Sequence, residues 1–376
     1  MGIKVCIVAS TLEFQQAGGH MWLFVNWALG LLAAGCDVTW LELVSSKSPP
    51  GELCRCVEGL KSRLALFGLE NRLSLLPTGG MIPFEPVSGA LDTETVFDAD
   101  LLLNFAGKMD AATVARFRRS AFVDIDPGLT QIWISESGRP IRPHDLYLSI
   151  GETVGAAESQ FPDCGVEWIY TPHPVYLPEW SPVPAPVGSP YTTVSSWWGW
   201  WEQFGGETFN NEKRTSFLEY LDLPRLTSAK LELALSMWDE SKQDDRHLLE
   251  KSGWSVQDAF EVAGTPRGYR AYLEQSRGEF SCAKPSCMRL ENAWLSDRTL
   301  CYMALGKPAV VQYTGPSRIL PEAEGLFRFR SPEQAALAIE KAESDYEFHG
   351  RKARAFVEEH HDARKVVGAV LERAFS

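Results

Sequence analysis

The order of strand-like and helix-like runs at the amino terminus restricts the fold more than any other feature of the sequence. Residues 4–10, KVCIVAS, are a short β-rich run, and residues 21–34 are a helix-like run that Gly35 ends. Residues 37–43, DVTWLEL, are a second strand-like run. A strand, a helix and a strand in this order predict a parallel sheet, because the crossover brings the chain back in the same direction.

Further strand-like runs extend the predicted sheet. Residues 98–105, DADLLLNF, have the continuous apolar character of a strand that is covered on both faces. The other strand-like runs of the first half are residues 73–76, 121–125, 146–150 and 166–170. Prolines 178, 182, 184, 186 and 190 follow, and they predict a stiff, extended linker between two domains.

The second half repeats the alternation of strands and helices. Its strand-like runs are residues 191–196, 231–235, 309–311 and 326–329, and two helices are predicted at the end, over 332–345 and 347–374. A chain of 376 residues is long enough for two domains of about 180 residues. We therefore expect domains over residues 1–180 and 181–350, followed by a carboxyl-terminal helical segment over 351–376.

The charge of the chain limits its partners. The sequence has 49 acidic and 36 basic residues, a net charge of −13. Duplex nucleic acid and anionic membranes require a clustered positive face, so neither is expected as a partner, although a local basic pocket stays compatible with this charge. No apolar run approaches the ~18 residues of a membrane span, and no signal peptide is evident, so we expect a cytoplasmic protein.

The stretch from residue 276 to residue 315, SRGEFSCAKPSCMRLENAWLSDRTLCYMALGKPAVVQYTG, reads as loop, helix, loop and strand. Ser296 and Asp297 are suited to cap a helix that Gly306 ends, and the run at 309–311 predicts a buried strand. A Gly- and Ser-bearing turn at residues 278–281 lies upstream. A turn at a strand end next to a capped helix presents free backbone N–H groups, which favours binding of a phosphate ester.

The same stretch carries a family resemblance. The segment MALGKPAVV followed by YTG resembles the carboxyl-terminal half of GT-B glycosyltransferases, and GEFS-x-AK followed by W-x-SDR resembles a bacterial branch of glycosyltransferase-like proteins. The resemblance is sharpest over residues 190–365. It implies an α/β protein of the GT-B class, with two Rossmann-like domains facing a central cleft and a last helix that crosses back to the first domain. It also implies transfer of a sugar from a nucleotide-sugar donor to an acceptor that the sequence does not identify.

The resemblance places candidate residues of the first domain at the cleft. Gly18 and Gly19 correspond to a turn that touches the donor phosphate in some family members, and His20 corresponds to a histidine that deprotonates the acceptor in others. His20 as a plain helix-capping residue is the alternative. Asp126 lies at a predicted strand end and is a candidate acceptor-side carboxylate, and turn formation by Asp-Pro-Gly is its alternative.

Donor-side candidates lie at predicted strand ends and helix starts of the second domain. Ser281, Lys284 and Arg298 are expected to stabilise a diphosphate, and Glu279 and Asp297 to bind sugar or ribose hydroxyls. The whole set is Ser196, Trp197, Thr265, Glu279, Phe280, Ser281, Lys284, Ser296, Asp297 and Arg298. The alternatives are a packed tryptophan wedge, a first-turn helix carboxylate for Asp297, a solvated Lys284, and an ion pair of Arg298 with Glu291 or Asp297. Lys213 or Arg214 either faces a diphosphate or is a solvated helix charge.

Some features of the wider family are missing. GT-B enzymes that retain the configuration of the anomeric carbon often carry two glutamates at the positions that hold Ala293 and Cys301 here. The sequence therefore does not indicate whether transfer retains or inverts this configuration. We recognise no D-x-D motif with adjacent strands to hold a divalent metal and no paired C-x-x-C units, so we expect no metal and no other cofactor, and the eight cysteines are expected to be structural. Two alternatives remain: a sugar-nucleotide epimerase on the same scaffold, and a catalytically silent protein that binds nucleotides or sugars.

Overall fold

The computed structural model describes residues 2–45, 50–78, 90–91, 93–138, 141–237, 243–321 and 323–376. Two parallel sheets organise these residues, one in each half of the chain. We call the two halves the first lobe and the second lobe. The structure thus confirms the mixed α/β architecture with two Rossmann-like sheets.

The sheet of the first lobe has seven strands within the described residues, in the order β3-β2-β1-β4-β5-β6-β7, and every neighbouring pair is parallel. Its strands are β1 Lys4–Ala9, β2 Asp37–Ser45, β3 Leu73–Thr78, β4 Leu101–Phe105, β5 Ser120–Asp124, β6 Leu146–Ser149 and β7 Trp168–Tyr170. The helices of this lobe are α1 Gly18–Ala33, α2 Pro50–Leu64, α3 Thr93–Val96, α4 Ala111–Val114 and α5 Leu129–Glu136. The central strand β4 is buried along its whole length, as its continuous apolar sequence predicts.

The second lobe contains a six-stranded parallel sheet and a separate hairpin. Its strands are β8 Tyr191–Ser196, β9 Trp201–Phe204, β10 Glu207–Asn210, β11 Leu231–Ser236, β12 Ser255–Asp258, β13 Gly278–Ser281, β14 Ala309–Gln312 and β15 Leu326–Phe329. The sheet order is β12-β11-β8-β13-β14-β15, and β9 pairs with β10 in an antiparallel hairpin that the sequence did not predict. The first helices of this lobe are α6 Lys213–Leu218, α7 Gln243–Lys251, α8 Ala259–Ala263 and α9 Pro266–Gln275. Its remaining helices are α10 Pro285–Leu290, α11 Asp297–Ala304 and α12 Pro332–Ser344.

The carboxyl-terminal segment forms two helices, α13 Tyr346–His360 and α14 Ala363–Phe375. The prediction of one helix over residues 347–374 was therefore wrong. The break occurs because the Asp362 carboxylate caps a new helix, accepting a hydrogen bond from the backbone N–H of Arg364 at 3.0 Å. After the break, α14 packs against α1 of the first lobe.

The two lobes contact each other through hydrogen bonds as well as packing. The Trp22 indole donates to the carbonyl of Pro266 at 2.9 Å, and the Asn292 amide donates to the carbonyl of Pro127 at 2.7 Å. The Glu152 carboxylate, which follows β6, accepts a hydrogen bond from the backbone N–H of Arg318 at 2.9 Å. Within the parts of the chain that are described, no helix is long and apolar enough to cross a membrane.

Candidate functional site

The cleft between the lobes lies at the carboxyl ends of both sheets. Each sheet has a point where the strand order reverses, between β1 and β4 in the first and between β8 and β13 in the second. Open α/β sheets bind ligands in the crevice outside such a point. Asp126 follows β5 and Lys284 follows β13, and their side chains meet across the cleft with Nζ 3.6 Å from Oδ1. Two of the predicted residues, one from each lobe, are therefore neighbours.

The amino terminus of α11 lies beside the end of β13. The hydroxyl of Ser296 caps the helix as predicted, accepting a hydrogen bond from the backbone N–H of Arg298 at 3.3 Å. Asp297 is half-buried in the first turn, and its charge acts on His20 and on His173, which lie outside the second lobe. A hollow beside the helix is lined by residues 281–283, at the end of β13. The first turn of α11 is therefore a candidate site for an anion.

Three cationic side chains gather at this terminus. Lys213, the first residue of α6, is only 8% exposed. Burial, together with the positive charges of Arg298 and Lys284, lowers the pKa of Lys213 to about 7. Among the residues that the structure describes, Lys213 has no hydrogen bond and no ion pair, and its ammonium lies 5.8 Å from the centre of the Trp294 ring. A largely buried ammonium that makes no ion pair is costly to keep, so this place is a candidate site for an anion.

Arg298 and Glu279 do not face the cleft as free groups. The Arg298 guanidinium donates to the Glu279 carboxylate at 2.6 Å, to the Ser281 hydroxyl at 2.5 Å and to the carbonyl of Val194 at 3.0 Å. Glu279 is fully buried, and Arg298 is nearly so. The expectation that Glu279 binds a sugar or ribose hydroxyl is corrected: its carboxylate holds Arg298 in place. The sequence alternative of an Arg298 pair with Glu291 or Asp297 names the wrong partner.

Two predicted aromatic contacts are also corrected. Trp197 is fully buried, stacks on Phe217, and donates its indole N–H to Asp245 at 2.9 Å. Phe280 is buried and stacks on Phe329. Both rings belong to the core of the second lobe, because strands of a covered parallel sheet bury side chains on both faces.

His20 lies in the first turn of α1, half-buried between the rings of Phe14 and Phe24. Its Nε2 lies 2.9 Å from the carbonyl of Ser10. A carbonyl only accepts, so Nε2 carries the proton and Nδ1 carries the lone pair. Burial lowers the pKa of His20, and the nearby Asp297 carboxylate partly opposes this shift. His20 is therefore a neutral imidazole with a basic nitrogen at neutral pH.

Gly18 and Gly19 allow α1 to approach the second lobe closely. A Cβ on Gly18 would lie 2.2 Å from the carbonyl oxygen of Thr265, and a Cβ on Gly19 would lie 2.7 Å from the Tyr269 ring. Glycine is thus required where the lobes meet, which differs from the expected close approach to a ligand. The Thr265 side chain caps α9, accepting from the backbone N–H of Gly268 at 3.0 Å.

Asp126 belongs to the Asp-Pro-Gly turn and also faces the cleft. The backbone N–H of Asp126 donates to the buried Asp124 carboxylate at 3.0 Å, which fixes the turn. Asp124 is further held by the Gln131 amide at 3.0 Å and by the Ser149 hydroxyl at 2.7 Å. Turn formation and a place beside the cleft are therefore compatible. Ser196, at the end of β8, is exposed.

Sequence reasoning left two groups out of the candidate set. The sequence left open whether Lys213 faces a diphosphate or is a solvated helix charge, and the structure buries it, whereas Arg214 is partly exposed and pairs with the buried Asp245 at 2.6 Å. The second group is Glu202 of β9 with its indole partners, which a pattern search for strands and helices does not detect. No group of three or more potential metal ligands occurs among the described residues.

Two facing lobes with parallel sheets, a ligand crevice at their carboxyl ends and a last helix that returns to the first lobe define the GT-B fold, and this chain has that fold. Solved structures with the same fold agree along the whole chain. An α-glucosyltransferase in complex with UDP and a 13-mer DNA has a TM-score of 0.61 and 11% identity, with 100% of both chains covered. HepE of Anabaena, in complex with UDP and glucose, has a TM-score of 0.59 and 10% identity, with 99% of both chains covered.

A sucrose-phosphate synthase from Thermosynechococcus elongatus gives a TM-score of 0.56 at 10% identity, again with 99% of both chains covered. Identities this low establish the fold and nothing finer. No family model matches the chain, and no curated protein matches its sequence. The assignment of a function therefore depends on the geometry of the cleft.

Proposed function

We propose that this protein is a glycosyltransferase that transfers a sugar from a nucleotide-sugar donor to an acceptor hydroxyl. The observation that carries the proposal is the enclosed, unpaired ammonium of Lys213 beside Lys284 and the amino terminus of α11. A diphosphate supplies the negative charge that this place lacks. UDP is the first nucleotide to test, because the titles of two structural neighbours name it as their ligand.

The donor side of the cleft then has a defined chemical task. Transfer breaks the bond between the anomeric carbon and the phosphate oxygen, and the bonding electrons leave with the nucleoside diphosphate. Lys213, Lys284 and the first N–H groups of α11 stabilise the charge that develops there. These groups supply positive charge from the protein itself, so we propose a reaction that needs no metal. Arg298 acts indirectly, because its ion pair with Glu279 fixes the start of α11.

The acceptor side provides a base for a displacement that inverts the anomeric carbon. The acceptor oxygen bonds to that carbon while its proton moves to Nδ1 of His20. The hydrogen bond from Nε2 to the Ser10 carbonyl fixes the tautomer that this step requires. We propose His20 as the base, with Asp126 as an acceptor-side carboxylate that Lys284 orients.

The geometry favours transfer over the two alternatives. An epimerase on this scaffold requires several histidines and carboxylates converging in the cleft. His20 and the buried His173 lie near Asp297, but His144 and His349 lie outside the cleft, packed against Phe122 and Phe327. A catalytically silent binding protein would not need the basic Nδ1 of His20, which the hydrogen bond to Ser10 holds in place. Turnover distinguishes these possibilities directly.

The test combines binding with turnover. The protein is titrated with UDP-, GDP- and dTDP-sugars while its thermal stability is followed, and release of free nucleoside diphosphate is then measured with a panel of acceptors. We expect one nucleotide series to stabilise the protein and to be turned over. His20→Ala should lower turnover roughly 10²- to 10⁴-fold with donor binding intact, and His247→Ala, at an exposed histidine of α7, is the matched control.

Each contrary result has a definite meaning. Stabilisation by a nucleotide sugar without turnover on any acceptor would favour the silent binding protein. An equilibrating sugar epimer in the absence of an acceptor would favour the epimerase. Full activity of His20→Ala would remove His20 as the base and leave the donor site as proposed.

A further inference from the structure

Two tryptophans, one from each lobe, are tied to a single carboxylate at the edge of the cleft. Trp133 lies in α5 of the first lobe, and Trp200 directly precedes β9 of the second. Glu202 accepts the indole N–H of Trp133 at 2.9 Å with one oxygen and the indole N–H of Trp200 at 2.5 Å with the other. Glu202 itself is buried, so its two oxygens are committed to these indoles. We call Trp133 and Trp200 the indole pair.

The rings of the indole pair are fixed but open to solvent. Trp133 is 40% exposed and Trp200 is 61% exposed. Their polar edges are satisfied by Glu202, so the surfaces left for a ligand are the apolar ring faces. Large apolar side chains that are held in place and left uncovered at a cleft indicate a binding surface.

Lys284 connects the indole pair to the proposed donor site. Its ammonium lies 5.9 Å from the centre of the Trp200 ring and 3.6 Å from the Asp126 carboxylate. The same ammonium is one of the charges that lower the pKa of Lys213. The indole pair therefore borders the phosphate end of the proposed donor site and lies close to Asp126, the proposed acceptor-side carboxylate.

We propose that the indole pair binds a neutral saccharide, which serves as the acceptor; this inference rests on the proposed function. A pyranose ring has an apolar face of C–H groups and a rim of hydroxyls. The C–H face can stack on the indole rings, and the hydroxyls can donate hydrogen bonds to the partly exposed Asp126 carboxylate. A saccharide that covers both rings contacts both lobes at once.

The charges around the indole pair argue against a nucleic-acid acceptor. A nucleic-acid strand also stacks on aromatic rings, but each nucleotide brings a phosphate that needs a nearby cation. Here the nearby ammonium of Lys284 is assigned to the donor diphosphate, the Glu202 carboxylate lies between the two indoles, and the whole chain has a net charge of −13. A ligand without charge fits this surface best.

Trp201 provides a control within the same hairpin. Side chains alternate between the two faces of a strand, so Trp201 and Glu202 point to opposite faces of β9. Trp201 is 64% exposed, similar to Trp200. Trp201→Ala therefore removes an equally exposed indole from the adjacent position while leaving the indole pair intact.

The experiment measures saccharide binding and UDP binding separately on the full chain. Malto-, cello- and chito-oligosaccharides are titrated calorimetrically into the wild type, Trp133→Ala, Trp200→Ala and Trp201→Ala, with and without UDP. We expect one saccharide series to bind the wild type. Trp133→Ala and Trp200→Ala should each weaken it roughly ten-fold or more, whereas Trp201→Ala should leave it unchanged. UDP affinity should be the same in all four proteins, and Trp133→Phe and Trp200→Phe should retain part of the saccharide affinity.

Several results would overturn the inference. One is that no neutral saccharide binds the wild type although UDP does. Another is that Trp201→Ala weakens saccharide binding as much as Trp200→Ala. A third is that Trp200→Ala weakens UDP binding and spares the saccharide, which would assign the ring to the donor site. Binding of a single-stranded oligonucleotide through the indole pair in place of a saccharide would be equally contrary. Failure of every nucleotide to bind would instead refute the proposed function, which is a distinguishable outcome.

Discussion

Replacing Lys213 by methionine removes the ammonium group from the cleft and keeps most of the volume of the side chain. The change has opposite effects on the free protein and on its nucleotide complex. In the free protein the ammonium is largely buried and makes no ion pair, so its loss should raise the free energy of unfolding. In the complex the ammonium contacts the diphosphate, so its loss should weaken binding.

The size of the first effect follows from the pKa of Lys213. Burial lowers this pKa from 10.5 to about 7. The unfolded chain therefore holds the proton more tightly than the folded protein, and the difference amounts to about 4 kcal/mol at pH 7. Because the surroundings of a buried charge relax, we expect Lys213→Met to be more stable than the wild type by about 2–4 kcal/mol. The gain should be full below about pH 7 and should disappear as the pH rises toward 10.5.

The size of the second effect follows from the charge of the lost contact. A hydrogen bond between a charged donor and a phosphate contributes about 1.5–3 kcal/mol, so the Kd for UDP should rise roughly 10- to 100-fold. In the wild type, UDP affinity should also fall as the pH rises above 7, because Lys213 loses its proton there. Urea unfolding between pH 6 and pH 10 measures the first effect, and calorimetric titration with UDP measures the second.

Lys251→Met, at an exposed position near the end of α7, is the matched control and should change neither quantity. The reasoning is refuted if Lys213→Met binds UDP as tightly as the wild type. It is equally refuted if the variant is no more stable than the wild type below pH 7, since an unpaired buried ammonium then carries no cost.

Two further substitutions test the buried ion pair beside the proposed donor site and the close packing between the lobes. Glu279→Gln removes the charge that balances the buried Arg298 guanidinium, so the protein should lose about 3 kcal/mol or more of stability, seen as a lower urea midpoint; an unchanged midpoint would contradict this. Gly18→Ala places a Cβ 2.2 Å from the Thr265 carbonyl oxygen and should hold the lobes apart, giving a larger radius of gyration in small-angle scattering and lower turnover. Gly51→Ala, where an added Cβ meets nothing within 4 Å, should leave both unchanged, and equal behaviour of the two alanine variants would refute the steric argument.

The parallel sheets could be predicted because their strands carry an unmistakable local pattern. A strand covered on both faces has a continuous apolar run, as β4 does with Leu101 to Phe105. The start of α11 was also predictable, because Ser296 is a capping residue and Gly306 follows the helix with a φ of 74°. In both cases the signal lies within a few residues of the element itself.

The direction of side chains in covered strands could not be predicted. Glu279 and Phe280 alternate along β13, yet both are buried, because helices cover each face of the sheet. Trp197, the first residue after β8, is buried as well. A strand end indicates a ligand site only for the residues beyond it, such as Lys284.

The burial of Lys213 is a property of the tertiary structure. The neighbouring Arg214 pairs with Asp245, as an ordinary surface residue does, so the local sequence gives no sign that Lys213 turns inward. Its position becomes clear only when Lys284 and Arg298, from distant parts of the chain, lie beside it. The link between Trp133 and Glu202 across the lobes is invisible in the sequence for the same reason.

The most direct test of the account is a crystal structure of the protein with UDP bound. The account predicts that the diphosphate lies at the amino terminus of α11, with its oxygens within hydrogen-bond distance of Lys213 Nζ and on the side of the cleft that His20 faces. A diphosphate bound away from Lys213 and α11 would contradict the donor site that all of the proposed chemistry requires.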